Sequence, residues 1–125
     1  MYTLSVEQSF ASAHQLRGYK GKCENLHGHN WKVVLTVCGT ELNEIGILID
    51  FHEVKDALKS IIEEMDHTFL NDLAAFKEHN PSSENIARYI YQKTVRRFAA
   101  QNITGASVQS VTVYESETSR CTYSE

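Results

Sequence analysis

The chain is poor in the residues that punctuate or staple a small fold. It has one proline, Pro81, and three cysteines, Cys23, Cys38 and Cys121, in 125 residues. An odd and sparse set of thiols excludes a disulfide framework and suits a reducing compartment, where each thiol does chemistry or fills a core. No run approaches the roughly 18 apolar residues of a membrane span, and Met1–Gln8 has neither a basic nor an apolar leader region, so the chain reads as cytoplasmic. Basic runs are also missing. With 12 basic against 16 acidic residues and a net charge of −4, a dedicated nucleic-acid surface is not expected.

Repeats, linkers and low-complexity tracts are absent, and the length suits a single domain spanning 1–125 with one hydrophobic core. From Thr3 to Phe10 the apolar Leu4, Val6 and Phe10 alternate with polar residues, the period of a strand with one buried face. A second strand is expected from about Asn30 to Cys38, ending at Gly39. Val54, Leu58, Ile61, Ile62 and Met65 then recur at helical spacing behind Asp50 and Glu53, a capping-box pair, which predicts a helix ending near Asp66. Ser82 is the expected N-cap of a second helix whose stripe is Ile86, Ala87, Ile90, Tyr91, Val95 and Phe98. Strands are expected at Val108–Glu115 and Cys121–Tyr123.

This ββααββ order predicts an α+β fold: a four-stranded antiparallel sheet with two helices on one face. Its two open edges invite pairing with other copies, so a homo-oligomer joined sheet to sheet is expected.

Chemistry concentrates in Cys23-Glu-Asn-Leu-His27-Gly-His29-Asn30. In an extended backbone His27 and His29 leave the same face and can converge on one metal ion. A catalytic zinc takes three protein ligands and keeps an open position, and His14, just past the first strand, is the candidate third ligand if the first two strands pair. Cys23 has three readings at this level: a fourth, site-closing ligand, a buried thiol, or a thiolate base favoured by Lys20, Lys22 and a nearby cation. Cys38 reads as structural. His67, after Asp66 at the end of the first helical stripe, is either a solvated helix end or a carboxylate-tuned imidazole. Glu115 continues the row of Val111 and Val113, as a strand end in solvent or as a carboxylate that accepts two parallel N–H bonds from a guanidine-like heterocycle edge. His52 and His79 read as surface residues.

Taken together, Phe10-x-x-x-His14, Cys23-x-x-x-His27-Gly28-His29-Asn30, Ile49-Asp50-Phe51, Met65-Asp66-His67, Leu70-Asn71-Asp72, Pro81-Ser82-Ser83-Glu84-Asn85, Glu115 and Cys121-x-Tyr123 resemble the 6-pyruvoyltetrahydropterin synthase family over nearly the whole chain. The resemblance is greatest to its 6-carboxy-5,6,7,8-tetrahydropterin synthase branch, because three residues separate Cys23 from His27. It implies a T-fold (tunnelling fold), in which sheets join into a barrel and active sites form between the subunits of a homo-oligomer, with a hexamer expected. It implies Zn2+ on His14, His27 and His29, with Cys23, Asp66, His67 and Glu115 catalytic. Glu115, Ser82 and Ser83 are the implied pterin contacts, and Arg17, Lys20, Lys22 and Arg120 are basic residues available to a triphosphate. The implied reaction converts 7,8-dihydroneopterin triphosphate to 6-carboxy-5,6,7,8-tetrahydropterin, acetaldehyde and triphosphate, in 7-deazapurine (queuosine) biosynthesis. The alternatives are pyruvoyl formation from the same substrate, or a noncatalytic zinc-stabilised pterin-binding assembly. Serine at position 82 departs from the family's usual threonine but keeps the hydroxyl.

Overall fold

The structure is a computed structural model and describes residues 1–18 and 25–125. Its elements run β1 (Tyr2–His14), β2 (His27–Gly39), α1 (Phe51–Ile62), two short 3-10 turns (Leu70–Asp72 and Ala74–Phe76), α2 (Ser83–Ala100), β3 (Ser107–Tyr114) and β4 (Arg120–Tyr123). The strands form one antiparallel sheet in the order β1-β2-β3-β4. Both helices pack on one face of it, as the sequence order predicts.

Alternation decides which residues meet. Val6, Phe10, Ser12 and His14 of β1 are buried on the same face as Trp31, Val33, Leu35 and Val37 of β2 and Val111 and Val113 of β3. Against this face α1 lays Val54, Ala57, Leu58, Ile61 and Ile62, and α2 lays Ile86, Ala87, Ile90, Tyr91 and Phe98. The opposite face is largely polar; there Ser5 bonds Thr36 and Thr112 bonds Thr122, hydroxyl to hydroxyl. No described helix is long and apolar enough to cross a membrane.

Three local expectations are corrected. First, α1 ends at Ile62, not near Asp66. The next residues leave the helix to dock on the free edge of β1: the Ala11 N–H donates to the Asp66 carboxylate (2.9 Å), His67 N–H to Ala11 O (2.6 Å) and Ala13 N–H to Thr68 O (3.1 Å). His67 takes a left-handed backbone, φ 55°, to make that exit. Second, Asp50 caps α1 through His52 N–H (2.8 Å), but among the described residues no Glu53 side-chain bond returns to complete a capping box. Third, Val95 is 43% exposed and Thr94 takes its place in the α2 seam. Thr94 loses little by burial, because its hydroxyl donates to Ile90 O within the helix (2.7 Å).

At the far end of β2 the chain returns so closely that a Cβ on Gly39 would sit 2.8 Å from Gly105 O and overlap Leu48. Only glycine fits there.

Candidate metal centre and active site

Antiparallel pairing of β1 with β2 sets Phe10 opposite Trp31, Ser12 opposite His29 and His14 opposite His27. All these side chains share the inner face, so His14 lies directly across from one imidazole and diagonally from the other. The ligand nitrogens of His14, His27 and His29 lie within 4.8 Å of one another. Strand pairing therefore brings His14 beside His27 and His29, where a third ligand is expected.

Trp31 forms the floor. It is fully buried, its ring stands edge-on to His14 (centroids 5.0 Å) and His29 (5.2 Å), and its indole N–H donates to Ser12 O (3.3 Å). Phe10 stacks beside it at 6.0 Å. The histidines thus sit where the apolar core ends, backed by carbon on one side.

Hydrogen bonds identify the free nitrogens. His14 Nδ1 lies 2.7 Å from Pro81 O, and His27 Nδ1 lies 2.8 Å from Asn25 O. A carbonyl only accepts, so both Nδ1 atoms carry the proton and each neutral ring leaves Nε2 bare. Those two Nε2 atoms face each other at 2.8 Å. Among the described residues His29 Nε2 is buried without a hydrogen-bond partner, with Glu115 Oε1 at 3.6 Å. The two facing lone pairs repel each other unless a cation lies between them, and with His29 alongside the three-imidazole donor set fits a divalent metal with nitrogen preference.

Desolvation is the main cause that holds the His14 ring below the ordinary 6.5, with His27 and His29 adding to it against the Pro81 bond and Glu115. Desolvation likewise lowers His29, opposed by Glu115 and assisted by His27. Both effects favour the neutral, metal-binding form near neutral pH.

Glu115 leaves the end of β3 toward this centre. One carboxylate oxygen faces His29, and the other accepts from the Ser83 hydroxyl at 3.5 Å. The strand end is thus not simply solvated, and Glu115 joins Ser83 to the histidine cluster. Ser82 serves as the predicted N-cap, its Oγ accepting from Asn85 N–H (3.2 Å), which leaves its O–H available as a donor for another contact.

Asp66 and His67 are not brought to the same place. The Asp66 Oδ1 atom holds both the Ala11 N–H and the His67 ring (3.0 Å), and the Ala11 bond is the main cause that lowers its carboxyl below 3.8. His67 is 82% exposed on the outer edge of β1, and neither residue hydrogen-bonds to the three histidines or Glu115. Cys23, with Lys20 and Lys22, lies outside the described residues. His52 and His79 are exposed, as expected.

Arg17 commits its Nη2 group to the main chain, donating to Phe76 O (2.6 Å) and His79 O (3.1 Å). Arg120 lies over the Tyr114 ring, 5.5 Å from its centroid. Cys38 Sγ lies 3.6 Å from Ser107 Oγ and stands at the opposite end of β2, roughly 30 Å from His29 by strand rise. The carbonyls that orient the rings, at Asn25 and Pro81, escaped sequence reasoning. Their only signal was the presence of asparagine and proline near the ligand motifs.

The 6-pyruvoyl tetrahydropterin synthase family model matches residues 3–125. The 6-carboxy-5,6,7,8-tetrahydropterin synthase of Haemophilus influenzae is 31% identical over 148 aligned positions that cover all of both chains. That of Bacillus subtilis is 32% identical, covering 98% of this chain and 84% of its own. Among solved structures, Caenorhabditis elegans 6-pyruvoyl tetrahydropterin synthase superposes with a TM-score of 0.87 at 26% identity, covering 99% of this chain and 95% of that one.

Proposed function

The chain belongs to the 6-pyruvoyl tetrahydropterin synthase family, and from that premise we propose that it is a zinc-dependent lyase of the 6-carboxy-5,6,7,8-tetrahydropterin synthase type. Its substrate is 7,8-dihydroneopterin triphosphate, and its products are 6-carboxy-5,6,7,8-tetrahydropterin, acetaldehyde and triphosphate, within the cytoplasmic route to queuosine. The observation that carries the reading is the gathering of one ring nitrogen from each of His14, His27 and His29 within 4.8 Å, with His29 Nε2 buried and without a hydrogen-bond partner among the described residues. The names of the curated relatives at 31% and 32% identity favour the carboxy product.

Zinc bound to His14, His27 and His29 supplies Lewis acidity that acidifies the C–H and O–H groups of the substrate side chain. Glu115 accepts two N–H bonds from the pyrimidine edge of the pterin, steadied by the Ser83 hydroxyl. The Ser82 O–H is a second contact available to the ring. Cys23 accepts a proton as thiolate. His67, oriented by Asp66, passes protons onward.

In one chain His67 projects outward from the β1 edge, which suits service to the site of a neighbouring copy. A homo-oligomer, expected as a hexamer of sheets joined into a barrel, is supported by surface left over on the monomer. Among the described residues nothing outside the sheet bonds the outward main-chain groups of Thr3–Ser9. Exposed Tyr2, Leu42, Ile47 and Phe51 line a cleft of about 420 Å³ beside that edge.

Incubation of zinc-loaded protein with 7,8-dihydroneopterin triphosphate, followed by mass analysis, tests the reading. Acetaldehyde with the carboxy product is expected. The pyruvoyl product would move the chain to the branch named for its structural neighbour, and no conversion would leave a noncatalytic zinc assembly.

A further inference from the structure

The His14 ring is aimed by the Pro81 carbonyl, and that carbonyl is itself held in place from both sides. The Asn80 side chain pairs with the main chain of Arg17 as a strand would: Arg17 N–H donates to Asn80 Oδ1 (2.9 Å) and Asn80 Nδ2 donates to Arg17 O (2.8 Å). Asn85, one turn into α2, donates from Nδ2 to Asn80 O (2.8 Å). The Arg17 guanidinium closes the same loop through Phe76 O and His79 O. Residue 80 is therefore bonded through both side-chain amide groups and its carbonyl, and its direct neighbour supplies the acceptor for His14.

We propose that Asn80, braced by Asn85, is a positioning residue for the metal centre: it fixes the Pro81 carbonyl and through it the tautomer and direction of His14. The inference rests on the metal-binding reading above. Proline lacks an N–H with which to anchor itself, so its carbonyl can be placed only by its neighbours. Ser82 on the other side is committed to capping α2. That leaves Asn80 as the residue that ties this carbonyl to the end of β1, three residues beyond His14 at Arg17. Outer groups that orient a ligand histidine typically carry about 10- to 100-fold in metal affinity.

The consequence is separable from general stability. Asn80→Ala removes both amide bonds to Arg17. Asn85→Asp removes the brace on the Asn80 carbonyl, adds a negative charge in the first turn of α2 and keeps the Oδ atom that accepts from Arg88 (3.1 Å). Gly39→Ala, at the opposite end of β2, perturbs the fold without touching the latch.

The test measures Zn2+ affinity of the full chain by chelator competition and the visible spectrum of the Co2+-loaded protein. For Asn80→Ala the affinity falls about 10- to 100-fold, the cobalt bands change intensity, and far-ultraviolet circular dichroism is kept. Asn85→Asp shifts both readouts the same way by less, and Gly39→Ala shifts neither. Unchanged affinity and spectrum in both latch variants overturn the proposal, as does an equal loss in Gly39→Ala. If Asn80→Ala does not fold, Asn85→Asp decides. Failure of the wild-type chain to bind Zn2+ is a different result: it removes the metal reading itself and this inference with it.

Discussion

His14 Nε2 and His27 Nε2 face each other at 2.8 Å while the Nδ1–H of each ring is committed to a main-chain carbonyl, Pro81 for one and Asn25 for the other. Two acceptors cannot satisfy each other, so the arrangement suits a cation between them.

That pairing gives a pH dependence. Burial lowers His14 and His29 below 6.5, so both remain neutral somewhat below that pH, and protonation of these two rings is expected to weaken Zn2+ binding only as the lowered values are crossed. For the metal-free protein the sign is set by the unfolded chain. Below 6.5 it gains protons that the folded histidines resist, so stability declines as pH falls from 6.5 toward the lowered values, and no such loss occurs above 6.5. Calorimetric titration with Zn2+ and urea melts of apoprotein across that range check both halves.

Cys23→Ala is expected to abolish turnover while leaving Zn2+ stoichiometry and fold intact, because the three histidines suffice as ligands. Glu115→Gln keeps the size and one acceptor oxygen but removes the charge. A charge-assisted bond is worth about 1.5–3 kcal/mol, so kcat/KM should fall roughly 10- to 150-fold. Steady-state kinetics with metal analysis separates the two variants. Loss of zinc in Cys23→Ala would make the thiol a ligand instead of a base.

Asp66→Asn tests the edge strap. The wild-type carboxylate is lowered chiefly by the Ala11 N–H bond, so its stabilising effect is present above the unfolded value of 3.8 and disappears as pH falls through the lowered folded value. The variant should therefore melt earlier in urea than the wild type at pH 7, with the gap closing in strong acid. A gap that persists at low pH would mean that the bond does not depend on the charge.

Gly39→Ala should destabilise the fold by about 1–3 kcal/mol, the usual cost of forcing atoms into a filled space, since the new methyl meets Leu48 and Gly105 O. The folded fraction should retain full kcat, because the centre lies at the other end of β2. Denaturant titration alongside turnover gives both numbers.

Much of this was legible in the residues. Alternation in Leu4, Val6 and Phe10, and the His27–His29 spacing, depend only on which side of a strand a residue leaves, and that is a local property. The strand pairing that delivers His14 followed from there being few ways to join adjacent antiparallel strands. Helix details were harder. Thr94 and Val95 exchange places because hydrophobicity alone does not see that a threonine can satisfy its own hydroxyl on Ile90. The end of α1 was misplaced because Met65 fits the helical period and is fully buried, yet the chain around it has already turned toward β1.

By itself the sequence determined the element order, most of the buried faces and the three imidazoles expected to gather in one place, since these follow from periodicity and side-chain chemistry. The tertiary structure decided which nitrogen of His14 and of His27 is free, where Asp66 and His67 point, and that Glu115 meets Ser83 and His29. Those outcomes hang on hydrogen bonds between residues as far apart as 14 and 81. A main-chain carbonyl has no letter in the sequence, so its role appears only when folding brings it to its partner.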